Sequence, residues 1–303
     1  MDRLEAMALF REVVEKGSFS AAGRSLRVPL ATLSRKISDL EALLGTRLLI
    51  RTTRRLSLTD VGVAYLESAR RVLDLVEDAE RQAAGEFVTP KGELIITAPL
   101  MFGRVHVLPV VTDFLALFPE IGIRLLLSDR NIHLVADNVD MAVRIGELAD
   151  SSMIATRIGS MRTVVCAAPS LLAGHRMPRS PADLRDFPCV TVDAPMPSQG
   201  WRFAAKNSIS AVEIPIVSRL SVTTPEAAMH AAVRGAGVAR LLYYQVADAV
   251  ASGSLKVILK NFEPKPAPVH LVHVARGLMP LKMRRFLDFA TPRLRRALNE
   301  LEP

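Results

Sequence analysis

Over the first eighty residues the apolar positions recur every three or four, and beyond residue 92 they gather into short runs between helical stretches. Leu4, Met7, Ala8, Phe10, Val13 and Val14 form a stripe that predicts a helix over residues 2–16, stopped by Gly17. Ser20 is placed to cap a second, short helix over residues 21–26 by accepting a backbone N–H. Arg27 and Val28 make a turn, and Pro29 suits the start of a third helix, because its missing N–H has no helical partner there. That helix runs to about Leu44 and stops at Gly45. Leu33, Ile37, Leu40 and Leu44 share one face of it, and Ser34, Arg35 and Ser38 point elsewhere. Two helices joined by a tight turn, the second with a polar outer face, form the pattern of a helix-turn-helix whose second helix enters a DNA major groove.

Residues 47–50 and 55–58 read as two short strands with residues 51–54 at their tip, a wing that lays arginines along a phosphate backbone or into a minor groove. Thr59 and Asp60 open a long helix in which Val63, Leu66, Ala69, Leu73, Val76, Ala79 and Ala83 keep a three-to-four spacing. One narrow seam on so long a helix suits pairing with a second copy; packing on the protein's own second domain is the alternative. Residues 85–92, with Pro90, form the linker. Strands are predicted at residues 94–97, 121–127 and 140–145, with helices over 102–118 and 131–137 between them. A second set follows: strands at 163–168, 189–192, 212–216, 219–222, 238–241, 255–259 and 269–274, and helices at 169–173, 224–234 and 280–298. This order predicts an α/β fold, parallel sheets flanked by helices in two lobes joined near Ser160 and Ala267. Ligands of such sheets bind at the carboxyl ends of the strands, here residues 98–101, 128–129, 144–146 and 221–224.

Charge sharpens the first part. Of a net +8 over 303 residues, residues 18–58 hold eight basic groups against Asp39 and Glu41, a local +6. A duplex is a dense line of phosphates, and release of its counterions is the main source of sequence-independent affinity. A solvated basic face on an ordinary helical domain is the alternative, and the two-helix pattern weighs against it. Half the residues are hydrophobic and 23% are charged, so a sizeable core is expected and disorder is not. No run of about 18 apolar residues predicts a membrane span, and the charged N-terminus lacks the apolar core of an export signal, so a cytoplasmic location is expected. Cys166 and Cys189 fall in apolar runs and read as buried strand positions. No nucleophile elbow, phosphate loop or dinucleotide fingerprint is found, so the chain is read as no enzyme and needs no cofactor. Six scattered histidines offer no metal site; His270 and His273 would point to opposite faces of one strand. A solute-binding protein would share the two lobes but have no use for residues 1–88.

With these pieces assembled, the chain resembles the LysR-type transcriptional regulators over nearly its whole length. The match is specific in the first 65 residues, through the alanine-rich helix, the run from Ser34 and Arg35 to Leu40, Glu41 and Gly45, and the close from Arg51 and Arg54 to Leu58, Thr59 and Gly62. Downstream, Phe118-Pro119-Glu120, residues 127–130, the run from Asp140 to Gly146 and residues 233–241 stand at family-like spacing. The resemblance implies a winged helix-turn-helix (residues 1–58), a dimerising linker helix (59–88) and a periplasmic-binding-protein-like effector domain (89–303). The last would have one subdomain over about 92–160 and 268–303 and the other over 161–267. It implies operator DNA, a small-molecule effector, homodimers pairing into tetramers and, for an activator, RNA polymerase as partners. Leu30, Ala31, Ser34 and Arg35 would meet base edges, with Ser20, Arg24, Lys36, Arg51, Arg54 and Arg55 as further DNA contacts. Pro99, Leu100, Met101, Phe102, Ser128, Arg144, Gly146 and Thr223 fall where family members line the effector cleft.

Two departures from the family pattern stand out. Pro29 and Leu30 occupy the places of a serine cap and a base-reading glutamine. Leucine cannot make the bidentate contact to adenine that glutamine makes, and its one major-groove partner is a thymine methyl. Hydrogen-bonded reading therefore passes to Arg35 and Ser34. Residues 99–102 are more apolar than the hydroxyl-rich version of many relatives, which favours an effector with an apolar body, or none.

Overall fold

Asp2 accepts the backbone N–H of Leu4 at 2.9 Å and so starts helix α1, Arg3–Glu15. The buried face of α1 is Ala6, Leu9, Phe10 and Val13, which differs from the expected stripe: Leu4 is exposed, and Met7, Ala8 and Val14 are half-buried. Apolar residues wrap more than half of this helix, so the neighbours that cover it decide which arc becomes core. Helix α2, Phe19–Leu26, begins earlier than expected, because Ser18 and not Ser20 is the cap; its Oγ accepts from the Ala21 N–H at 3.0 Å. Arg27 adopts a left-handed φ of 55° and turns the chain into α3, Leu30–Leu44, which ends at Gly45. Leu33, Ile37 and Leu40 are buried, whereas Leu44, expected beside them, is exposed. Strands β1, Leu49–Arg51, and β2, Leu56–Leu58, pair antiparallel with Leu49 opposite Leu58. Helix α4, Asp60–Ala83, is capped by Thr59, whose Oγ1 accepts from the Gly62 N–H at 2.9 Å. A Cβ on Gly62 would lie 2.0 Å from the Leu48 carbonyl oxygen, so only glycine lets α4 approach the wing this closely. Phe10, Leu33, Ile37, Leu40, Leu48 and Leu66 close one core, each contributing about 1.5–3 kcal/mol by leaving water.

The structure, a computed structural model, describes residues 2–51, 56–83, 89–130, 132–148, 153–193, 200–204, 211–274 and 279–301. They form two compact units, residues 1–92 and 93–303. The second contains β3, Gly92–Ala98; helix α5, Leu100–Leu117; β4, Ile121–Leu127; β5, Met141–Ile145; and β6, Met153–Met161. Next come β7, Thr163–Ala167; α6, Pro169–Ala173; β8, Cys189–Val192; β9, Gly200–Ala204; β10, Ala211–Pro215; and β11, Ser218–Val222. The chain ends with α7, Pro225–Val233; β12, Val238–Leu242; α8, Tyr243–Ala251; β13, Lys256–Ile258; β14, Ala267–Val274; and α9, Leu281–Asn299. Two five-stranded sheets result, in the orders β4-β3-β5-β14-β6 and β11-β8-β12-β7-β13, each the centre of a lobe.

The sheets are mixed, not parallel as expected. β3 and β5 are parallel, but β14 runs antiparallel to β5 and β6. The cause is the double crossing between lobes. The chain leaves along β6 and returns along β14, with Ala267 opposite Met161, and an outgoing and a returning strand side by side must be antiparallel. Arg162, at the outgoing crossing, makes a two-pronged bond to Glu263 at 2.8 Å for each nitrogen, which ties the crossing segments together. The helix expected at 131–137 is not formed: residues 134–138 are turns, and Asn131 lies outside the described residues.

Helix α5 is α-helical at Leu100–Phe102 and Leu108–Leu117, with a π turn at Gly103–Val107 between. Pro109 explains the widened turn: it donates no N–H, and its ring would crowd the carbonyl four residues back in regular α geometry. Gly103 sits hard against β4, where a Cβ would meet Leu127 at 2.2 Å. By length and composition α5 could cross a membrane. Here its Phe102, Val107, Val111 and Phe114 pack into the core of the first lobe. Cys166 and Cys189 are buried strand residues as read, and burial pushes their thiols up to about 12 and about 11.

Candidate nucleic-acid interface and lobe-end cavity

The core face of α3 is spent on Leu33, Ile37 and Leu40, so its other residues are what it offers outward. Leu30 is 51% exposed, Ala31 and Arg35 are exposed, and Ser34 is half-buried. Pro29 starts the helix without a side-chain cap. Lys36 stands apart from this group: it is half-buried and ion-paired with Glu5 of α1, so its charge is turned back onto the protein. Ser20 and Arg24 lie exposed on α2. Arg51 ends β1, and Arg54 and Arg55 lie outside the described residues.

Glu41 has a structural part that its place in the sequence pattern did not reveal. Its Oε1 accepts from the backbone N–H groups of Leu48 and Leu49 at 2.8 and 3.0 Å. One carboxylate thus fixes the start of the wing to the end of α3. Such bonds to a charged group contribute about 1.5–3 kcal/mol each. The sequence signal was the acid itself, four residues before the helix stop, where a carboxylate faces the unfavourable end of the helix dipole and needs another reason to be there.

In the second unit a cavity of about 140 Å³ opens at the carboxyl ends of β3, β4 and β5. Thr97, Pro99, Ser128, Asp129, Arg130 and Arg144 are among its lining. The Arg144 guanidinium is partly buried, which lowers its pKa, and donates to the Ile132 carbonyl. Asp129 is engaged by the first turn of α5, accepting from the Leu100 N–H at 3.0 Å. Of the expected cleft residues, Pro99, Ser128 and Arg144 therefore come together. Phe102 is fully buried and Met101 nearly so, in the core of the lobe, so these two turn away from the cavity, whose wall joins its polar residues to Ala98, Pro99, Val143 and Ile145. Leu100 is half-buried, Gly146 follows β5 at φ 116°, and Thr223 is exposed just before α7 on the other lobe.

Residues not anticipated from sequence join the lobes beside this cavity. Arg104 of α5 pairs with Glu226 of α7 at 2.8 Å. Tyr244 of α8 packs edge-on against Phe102 at 5.3 Å, and its hydroxyl accepts from the Gln245 amide at 3.2 Å. Burial pushes its phenol up to about 12, against the Gln245 amide bond and the Phe102 backbone nearby, which lower it, with Asp129 adding to the rise. His106 packs against both rings, its Nε2 is buried with no hydrogen-bond partner, and burial lowers its pKa.

Comparison with known proteins gives the same division. Residues 4–63 match the family described as bacterial regulatory helix-turn-helix protein, lysR family, and residues 88–295 match the LysR substrate binding domain. An HTH-type transcriptional repressor of Pseudomonas aeruginosa (strain UCBPP-PA14) is 32% identical over 95% of this chain and 91% of its own. The transcriptional activator AaeR of Escherichia coli (strain K12) is 31% identical over 96% and 94%. Among solved structures, CrgA of Neisseria meningitidis, a LysR-type transcriptional regulator, aligns with a TM-score of 0.61 at 30% identity, covering 96% of this chain and 98% of that one. A helix-turn-helix with an outward-facing second helix, followed by a two-lobed α/β domain and matched along nearly the whole chain, places this protein in the family of LysR-type transcriptional regulators.

Proposed function

We propose that this regulator works as a homodimer, or a pair of dimers, in the cytoplasm, with residues 1–58 reading operator DNA, 59–88 pairing the copies and 89–303 sensing a small molecule. Leu30, Ala31, Ser34 and Arg35 enter the major groove; Ser20, Arg24, Arg51, Arg54 and Arg55 meet the backbone. The exposed outer residues of α3, on a chain whose relatives are named as transcriptional regulators, carry this reading. No catalytic step is assigned; where the protein activates, RNA polymerase is a further partner.

The sensing part is supported by the lobe-end cavity. Arg130, Arg144 and Ser128 gather donors there, and Asp129, the one acid among the described lining residues, is held by a backbone N–H. A small anion fits this set. Its binding shifts the lobes and thereby the spacing of the paired DNA-binding units, a coupling set by the difference in affinity between the two arrangements.

The experiment for the DNA-binding part is a titration of labelled operator and random duplex with the full-length protein. Arg35→Ala weakens operator binding by about 1–3 kcal/mol and narrows the gap to random DNA. Unchanged affinity for both duplexes would sink the assignment of α3.

A further inference from the structure

Leu30 is an anomaly of placement. It is the first residue of α3 and it is 51% exposed; it shares a side of the helix with Leu33 and Ile37, three and seven residues on, but stands at the helix end and takes no part in the core that they build with Leu40. Around it the surface stays apolar, with Pro29 exposed before it, Ala31 exposed after it, and Leu26 38% exposed at the end of α2. One turn further along α3 come Ser34 and Arg35, and Lys36 is held by Glu5. The helix read as entering the groove thus leads with an apolar tip and follows with polar groups.

Major-groove chemistry gives such a tip one complementary feature. Guanine, adenine and cytosine show only donors and acceptors there, and thymine adds the C5 methyl. Over a thymine, the leucine buries that methyl. Over any other base it strips water from a donor or acceptor and supplies no hydrogen bond in return, which is a penalty. Attraction and rejection point the same way, and specificity is the difference between them.

We propose that Leu30 is a specificity-determining residue that selects a thymine in each operator half-site through its C5 methyl. This rests on α3 being the groove helix, and it adds a base identity that the reading above does not contain. Leu30 makes the choice by shape and hydration, and Arg35 and Ser34 supply the hydrogen-bonded reading beside it.

The test begins with selection of duplexes from a randomised pool by the full-length protein, followed by replacement of each selected thymine with deoxyuridine, which removes only the methyl. At one position per half-site the replacement weakens binding about fourfold, the transfer value of one carbon group, and at both half-sites about fifteenfold. In Leu30→Ala the penalty at that position falls below about twofold, and Leu30→Gln moves the preference there toward adenine. Leu30 lies outside the core, and circular dichroism melting of both variants confirms that they fold. If every deoxyuridine duplex binds as well as its parent, or Leu30→Ala keeps the full penalty, Leu30 does not read a methyl. If the wild-type protein selects no sequence at all, the DNA-binding assignment of α3 fails and this inference with it, so the two failures are told apart by the first step.

Discussion

A single side chain decides what the cavity at the ends of β3, β4 and β5 accepts. Arg144 stands in its lining, partly buried, with one nitrogen engaged by the Ile132 carbonyl. A guanidinium stays charged under this degree of burial, because its ordinary pKa is so high that a downward shift leaves it protonated at neutral pH. Its positive charge attracts a carboxylate, with the Ser128 hydroxyl in the same lining. An effector with a carboxylate head is therefore expected, and calorimetry of the full-length protein against small carboxylic acids is the measurement. Arg144→Ala should weaken the binder found by at least about thirtyfold, since removing one partner of a buried charge pair costs 2 kcal/mol or more. Neutral ligands that bind equally well to wild type and Arg144→Ala would overturn the anionic reading.

At the scale of elements, α5 shows both what the sequence reveals and what it hides. Apolar spacing located the helix, as it located α3, α4 and most strands, because one face of each element is buried against one sheet or one neighbour. It did not locate the π turn at Gly103–Val107, which depends on Pro109 meeting the packing of Gly103 against Leu127. Strand β6 escaped notice because its Met153–Met161 run mixes buried and exposed positions without strict alternation. Helix α8 escaped because its cap is unconventional: Gln245 reaches back to accept from the Leu242 N–H at 2.9 Å, where no Ser, Thr or Asp stands. Within the DNA-binding unit, the exposure of Leu30, Ala31 and Arg35 was legible because Leu33, Ile37 and Leu40 mark which residues of α3 the core takes up. The ion pair of Lys36 was not legible, because its partner, Glu5, lies in another helix.

The π turn also has a consequence for pH. It carries His106, half-buried against Phe102 and Tyr244 with its Nε2 buried and unpartnered, so the folded state disfavours the proton and the pKa lies below its ordinary 6.5. The unfolded chain then binds more protons in the window just under 6.5. The stability that His106 contributes is complete above that value and is lost as pH falls toward the depressed pKa. Thermal melting of the wild-type protein should therefore decline more steeply below pH 6.5 than that of His106→Phe, which keeps the ring contacts and removes the titration. Parallel profiles would show that His106 titrates alike in both states.

For the whole molecule the decisive question is what covers α4. Leu66, Ala69 and Leu73 are covered within one copy, where α4 packs against α1 and Arg70 pairs with Glu15 at 3.0 Å. These are three of the seven residues of the predicted seam. Val72, Leu75 and Ala79, spaced three and four apart, remain exposed, with Leu75 at 43%. A 24-residue helix with a second apolar row suits the same row of another copy, and a twofold-related pair presents two α3 helices to two half-sites. Leu75→Glu places like charges face to face in that seam while leaving the core of the unit untouched. Light scattering should then show the mass of a single chain where the wild type shows at least two. Operator affinity should fall about a hundredfold or more, because the second half-site is no longer bound intramolecularly. The salt dependence should fall with it, since only half the phosphate contacts remain to release counterions. A Leu75→Glu protein that keeps its mass and its operator affinity would place the pairing surface elsewhere.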